Sequence, residues 1–316
     1  MKLVLQREQL VRILIGVAPM VALVVLGHQY LDELWRLECV RLYFVPIIFL
    51  LYITARFVTS VIMRMGVHRA GCKISVFTGF SLILVASYSN LLIPKSGLGP
   101  VAVILKRRYG LRYADFSTIL VPVGLFQLPT IGVLGICLQA LLSVAYGIPF
   151  QFLIGFGFAL CIAGPVTIMI LGAPVPARWE GRVADFFRRV GFSWRKLSKD
   201  TSFLFKAFAL HILILLLRAL RLGIAFHSFD LWFGFAEVWL VSLLGDLTLL
   251  ASFTPSGLGL REAVIAYGSH QLGVDPSMAV TVAVLDRLVW SVGLVPAAQV
   301  GLWWLAKVKP RGDVAD

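Results

Sequence analysis

Charge is scarce in this chain. Only 14% of its 316 residues are charged, and no polar stretch is long enough to fold as a soluble domain. Cysteine is almost missing as well. Cys39, Cys72, Cys137 and Cys161 are scattered, two of them inside apolar runs, with no CxxC or Cys/His ligand spacing. That pattern argues against both a disulfide framework and a metal site. The sequence also has no HExxH, no Gly-x-Ser-x-Gly and no Walker motif. Metalloprotease, serine-hydrolase and nucleotide-driven chemistries therefore have no footing here, and no cofactor or metal is expected.

What the chain has instead is hydrocarbon. Apolar residues reach 59%, against roughly 45–50% in soluble proteins. They fall into several runs near the roughly 20 residues needed to span a bilayer. The composition predicts an all-α polytopic membrane protein forming one integral membrane domain over residues 1–316. The formal net charge of +13 sits in short loops between apolar runs, the positive-inside signature, so anionic lipid rather than nucleic acid is the expected partner. Lys2, Arg7 and Arg12 precede an apolar run without a small-residue cleavage site, which reads as a retained first helix.

Two interruptions organise the rest. Phe253-Thr254-Pro255-Ser256-Gly257-Leu258-Gly259-Leu260-Arg261-Glu262 breaks one apolar run, and Asn90-Leu91-Leu92-Ile93-Pro94-Lys95-Ser96-Gly97-Leu98-Gly99 breaks another with the same Ser-Gly-Leu-Gly core. Proline and glycine end helices and free backbone groups, which at membrane depth is tolerated only inside protein or a cavity. Two copies of one break suggest a duplicated architecture with its working centre where the copies meet.

Taken in order, helix one covers about 11–27 and an acidic connector at 32–38 suits the outer side. Helix two covers 42–63 and ends at a basic loop. The run 74–93 then enters, breaks, and returns to a second basic cluster at Lys106, Arg107, Arg108 and Arg112. About 13 Å of helix lies between break and cluster, too little to cross, so a re-entrant hairpin is expected. Residues 113–145 cross once and 150–171 return. The segment 173–200 interleaves basic residues with Trp179, Phe186, Phe187, Phe192 and Trp194. It reads either as an ordinary cytoplasmic positive-inside loop or as an amphipathic helix lying on anionic headgroups. Residues 203–225 cross outward, 231–252 reach the second break, and 277–305 end at Lys307, Lys309 and Arg311. The reading is about six transmembrane helices plus two re-entrant hairpins with both termini cytoplasmic. Repeat 1 covers about 42–145 and repeat 2 about 203–306, with inverted topology. Arg218 and Arg221 fit this scheme poorly, since they fall near the outer end of their helix.

The chemistry-bearing residues are charges inside apolar runs: Arg56, His211, Arg218, Arg221, Glu237, Asp246, Arg261, Glu262, Asp286 and Arg287. An unpaired charge in hydrocarbon costs at least about 2.5–3.5 kcal/mol, so these should face the interior and pair. A structural ion-pair network would explain them all. The sharper alternative is a polar site at the midplane. There the helix starts at Gly99 and Gly259 aim their positive ends at an anionic group such as a lipid phosphate. Lys95, Arg261 and Arg287 supply charge, and Glu262 titrates or holds Arg261 in place. The candidate binding residues are Asn90, Pro94, Lys95, Gly97, Gly99, Pro255, Ser256, Gly257, Gly259, Arg261, Glu262, Asp286 and Arg287. Ser256 has no nearby histidine to activate it and reads as structural. His211 reads as a hydrogen-bonded packing residue.

Pro255-Ser256-Gly257-Leu258-Gly259-Leu260-Arg261-Glu262-Ala263 resembles the Pro-x-Gly-x-Gly-x-Arg-Glu-Ala signature of the lysylphosphatidylglycerol synthase transmembrane (flippase-like) family. Asp286-Arg287-Leu288 with Gly293 and Pro296 is similar to its Arg-Leu…Pro pattern, and Asn90 to Pro94 to its first-half Asn…Pro element. The resemblance covers residues 10 to 305. It implies a multi-helix domain of the bacterial inner membrane that moves lipids or lipid-linked molecules between leaflets. No segment reads as the aminoacyl-transferase domain fused in the best-known members, so aminoacylation is not expected of this chain. Pro100 and Val101 stand where the second copy has Leu260 and Arg261, and Glu262 has no counterpart, so the two breaks are chemically unequal. The resulting expectation is a lipid translocase rather than an enzyme. The alternatives are a membrane-embedded transferase or its accessory subunit, and a scaffold for a partner enzyme of lipid or glycan biosynthesis.

Overall fold

The computed structural model describes residues 41–93, 96–111, 126–171, 200–251 and 259–307, with a few single residues between them. Among the described residues there are nine α-helices and no strand. They are α1 (Val45–Arg69), α2 (Val76–Leu92), α3 (Leu98–Tyr109), α4 (Gln127–Tyr146), α5 (Phe152–Leu171), α6 (Thr201–His227), α7 (Phe235–Ala251), α8 (Leu260–His270) and α9 (Pro276–Lys307). The expected first helix at 11–27 and most of the basic segment 173–200 lie outside the described residues.

Local chemistry sets the boundaries. Ser75 accepts from the Thr78 N–H at the start of α2, and Asp200 accepts from the Phe203 N–H at the start of α6. Asp275 takes the N–H groups of Ser277 and Met278 at the start of α9. Each satisfies donors that a helix start leaves open. Gly110 and Gly147 close α3 and α4 in the left-handed conformation, the usual glycine stop.

The segments 42–69, 127–146, 201–227 and 276–307 are long and apolar enough to cross a membrane, and 76–92 and 152–167 are shorter apolar helices. Their outward faces are hydrocarbon: Leu50, Phe152, Leu153 and Phe205 are all exposed. The inward faces of α6 to α9 carry Arg221, Asp246, Glu262, Asp286 and Arg287, all buried. Apolar outside and charged inside is the arrangement a bilayer demands and water forbids. The chain is a multi-pass helical membrane protein.

α1 and α6 pack along each other and run in opposite directions. Arg41, just before α1, pairs with Asp230 beyond the end of α6 at 2.7 Å. Arg69, at the end of α1, pairs with Asp200 at the start of α6 and lies 4.1 Å from the Phe203 ring centroid. α2 and α3 fold back on each other. Their open end sits beside the end of α1, where Met63, Val67, Leu82, Val101 and Leu105 form one core. α7 and α8 fold back likewise, and their open end shares a core of Val238, Val241, Ile265 and Ala266 with Ile48 and Phe226, at the opposite end of α1. α9 joins the two regions, with Ala279 in the second core and Leu305 in the first.

Candidate functional site

The first fold-back is clasped by Asn90. Its side-chain Oδ1 accepts from the Gly97 N–H at 2.7 Å, while Ser96 Oγ donates to the Ser89 carbonyl at 2.7 Å. A Cβ at Gly97 would lie 2.4 Å from the Ala86 carbonyl oxygen, so only glycine lets the backbones approach this closely. Asn90 and Gly97 therefore hold the bend itself. Gly99, expected to start the helix, lies within the first turn of α3, which begins at Leu98. Pro94 and Lys95 lie outside the described residues.

The second fold-back carries the charge. Pro255, Ser256 and Gly257 are outside the described residues, but α8 begins at Leu260 directly after Gly259, whose φ is +83°. Glu262 Oε2 accepts from the Gly259 N–H at 2.9 Å, capping the helix start. Glu262 Oε1 also lies 2.5 Å from Arg287 Nε. Arg261 turns away to Asp286 Oδ2 at 3.3 Å. Asp286 is fully buried and takes a second arginine: Arg221 Nε sits 2.7 Å from its Oδ1.

This corrects the expectation that Glu262 holds Arg261. Consecutive helix residues point about 100° apart and do not face one another. The Arg-Glu pair of α8 therefore meets the Asp-Arg pair of α9 crosswise. One end of α8 is tied twice to α9, and α6 joins through Arg221.

Arg218 pairs with Asp246 of α7 at 2.9 Å. The two arginines that fitted the topology poorly are thus interior residues with carboxylates opposite them. Sequence alone had no means to join them, because the partners lie on other helices. His211 is buried, its Nδ1 2.7 Å from the Ala207 carbonyl oxygen, as expected of a packing histidine. Glu237 instead caps its own helix, accepting from the Gly234 N–H at 2.8 Å.

Arg56 completes the cluster. Its guanidinium carbon lies 4.8 Å from the Tyr52 ring centroid, and that of Arg221 lies 5.6 Å from the same ring. The three interior carboxylates, Asp246, Glu262 and Asp286, are engaged by Arg218, Arg287, Arg221 and Arg261. Among the described residues, five interior arginines thus stand against three carboxylates. The profile of the lysylphosphatidylglycerol synthase TM region family matches residues 9–296, nearly the whole chain and every member of this cluster. The chain belongs to that family. No curated protein and no solved structure matches it. Membership in the lysylphosphatidylglycerol synthase TM region family relates the chain to membrane proteins of lipid modification or translocation.

Proposed function

We propose that this protein translocates a lipid or lipid-linked molecule with an anionic headgroup across the bacterial inner membrane. The observation that carries the reading is the cation excess. Arg56, Arg218, Arg221, Arg261 and Arg287 surround only Asp246, Glu262 and Asp286 among the described residues. Excess positive charge in a low-dielectric interior is expensive and is relieved by an anion. Asp286 holds two arginines, so one of them can turn to a headgroup without leaving that carboxylate bare.

In this reading the two fold-backs are re-entrant hairpins and the halves are inverted repeats. The antiparallel run of α1 against α6, the corresponding helices of the two halves, supports it. So does the placement of the two hairpin openings at opposite ends of α1. Alternating access then needs only a rocking of one half against the other around the charged centre. The Gly259 N–H is already taken by Glu262, so the arginines rather than the helix start supply most of the attraction. Gly97 lets the two arms of the first hairpin approach closely, and Asn90 holds that bend in shape.

The test is leaflet exchange of a headgroup-labelled anionic lipid in proteoliposomes, for wild type and Arg261→Ala, with the lipid mass checked afterwards. Exchange that falls at least about tenfold in Arg261→Ala and leaves the lipid mass unaltered is expected. An altered lipid mass would replace translocation by covalent chemistry.

A further inference from the structure

Tyr52 is a buried tyrosine, only 1% exposed, whose hydroxyl has no hydrogen-bond partner among the described residues. A buried polar atom is nearly always satisfied, so an orphan calls for an explanation. Its ring is held on one side by Trp290, with centroids 5.5 Å apart and planes 22° from parallel. The Arg56 guanidinium lies over the same ring. Tyr52 and Arg56 are four residues apart on α1 and leave the same face of the helix. By helix rise, Arg56 lies about 16 Å from one end of α1 and about 20 Å from the other, far from either end. Every interior carboxylate among the described residues is engaged by another arginine. The guanidinium of Arg56 and the hydroxyl of Tyr52 are thus two donors on one helix face, and among the described residues the first has no carboxylate and the second no acceptor.

We propose that Arg56 and the Tyr52 hydroxyl form an anion subsite on α1 that takes a phosphate-type oxyanion. The inference rests on the translocation reading and adds to it the residues of the first half that would receive the headgroup. A guanidinium presents a planar fork of N–H donors that matches two phosphate oxygens, and a tyrosine hydroxyl donates to a third. The subsite lies beside Arg221, which ties it through Asp286 to Arg261 on the second hairpin. A headgroup seated on α1 would thereby be sensed by the arginines of α6 and α8. The same oxyanion chemistry belongs to a lipid phosphodiester and to free phosphate.

Native mass spectrometry of the full chain, released from mixed micelles holding equal phosphatidylglycerol and phosphatidylcholine, tests this. Inorganic phosphate serves as the competitor. Wild type is expected to retain phosphatidylglycerol in preference. Arg56→Gln and Tyr52→Phe should each lower that retention about five- to tenfold, and Arg56→Lys should recover part of it. Because Tyr52→Phe removes a buried hydroxyl with no partner among the described residues, its lipid-free melting temperature should be no lower than that of wild type, while the rise on adding phosphatidylglycerol should shrink. Displacement of the lipid by millimolar phosphate, again lost in the variants, would keep the subsite and assign it to the free ion. Retention in Arg56→Gln and Tyr52→Phe equal to wild type would overturn the subsite and leave the translocation reading to the exchange assay. Equal retention of both lipids by wild type, with no effect of phosphate, would also overturn it.

Discussion

Arg287 Nε lies 2.5 Å from Glu262 Oε1, and neither side chain is more than 7% exposed. The same carboxylate caps the start of α8 through its other oxygen. One residue therefore serves both the charge balance of the interior and the geometry of the break.

The two roles separate by substitution. Glu262→Gln keeps an oxygen for the Gly259 N–H but removes the charge facing Arg287, whereas Glu262→Ala removes both. Stripping one partner from a buried ion pair costs about 3–5 kcal/mol. Loss of the cap adds about 1 kcal/mol more in the alanine variant. Denaturant or thermal unfolding in detergent should rank wild type above Glu262→Gln and Glu262→Ala lowest. Equal stability of the two variants would mean that the cap contributes nothing.

Asp286 serves two arginines at once, so its neutralisation should be the most damaging single change in the cluster. Asp286→Asn leaves Arg221 and Arg261 without an interior carboxylate. A double-mutant cycle with Arg221→Gln should return a coupling of about 0.5–3 kcal/mol. Additive effects would show that the 2.7 Å contact contributes no stability of its own.

How far this centre was legible in the sequence differs from one residue to the next. The two Ser-Gly-Leu-Gly breaks, the helices around them and the inward-facing charges were all visible, because apolar runs and helix breakers are local signals. The pairing was not. Arg261 and Glu262 stand next to each other and invite an intrapair contact, yet the helix turns consecutive residues apart, and the Asp-Arg of α9 offered the complementary order. The rule against neighbours facing each other was the one available signal. Arg218 and Arg221 looked misplaced for a related reason. Their partners Asp246 and Asp286 sit on helices that only the three-dimensional packing brings alongside α6. Arg56 was visible as a charge in an apolar run, but its place over Tyr52 was not.

Gly97 should tolerate no side chain. A Cβ there would meet the Ala86 carbonyl at 2.4 Å and the Asn90 Nδ2 at 2.7 Å. Overpacking of this kind costs about 1–3 kcal/mol. Gly97→Ala should lower the melting temperature and make a cysteine placed at Ser96 react faster with a water-soluble maleimide as the bend opens. Unchanged labelling and stability would contradict the close approach.

At the junction between the halves, the Asp200 carboxyl is held below the usual aspartate range by a side-chain hydrogen bond from Arg69, then by the Phe203 N–H. A depressed folded-state value means the tie stabilises above the ordinary aspartate range and is lost as pH falls through the lowered one. The melting-temperature difference between wild type and Asp200→Asn should therefore be constant at neutral pH and vanish in acid. A difference that persists or grows in acid would contradict the assignment.

The most direct measurement compares leaflet exchange of phosphatidylglycerol and phosphatidylcholine side by side in the same proteoliposomes. Five interior arginines against three carboxylates predict exchange of the anionic lipid at least about tenfold faster, with both lipids chemically unaltered. Equal rates for the two lipids, or no exchange of either above protein-free vesicles, would contradict it.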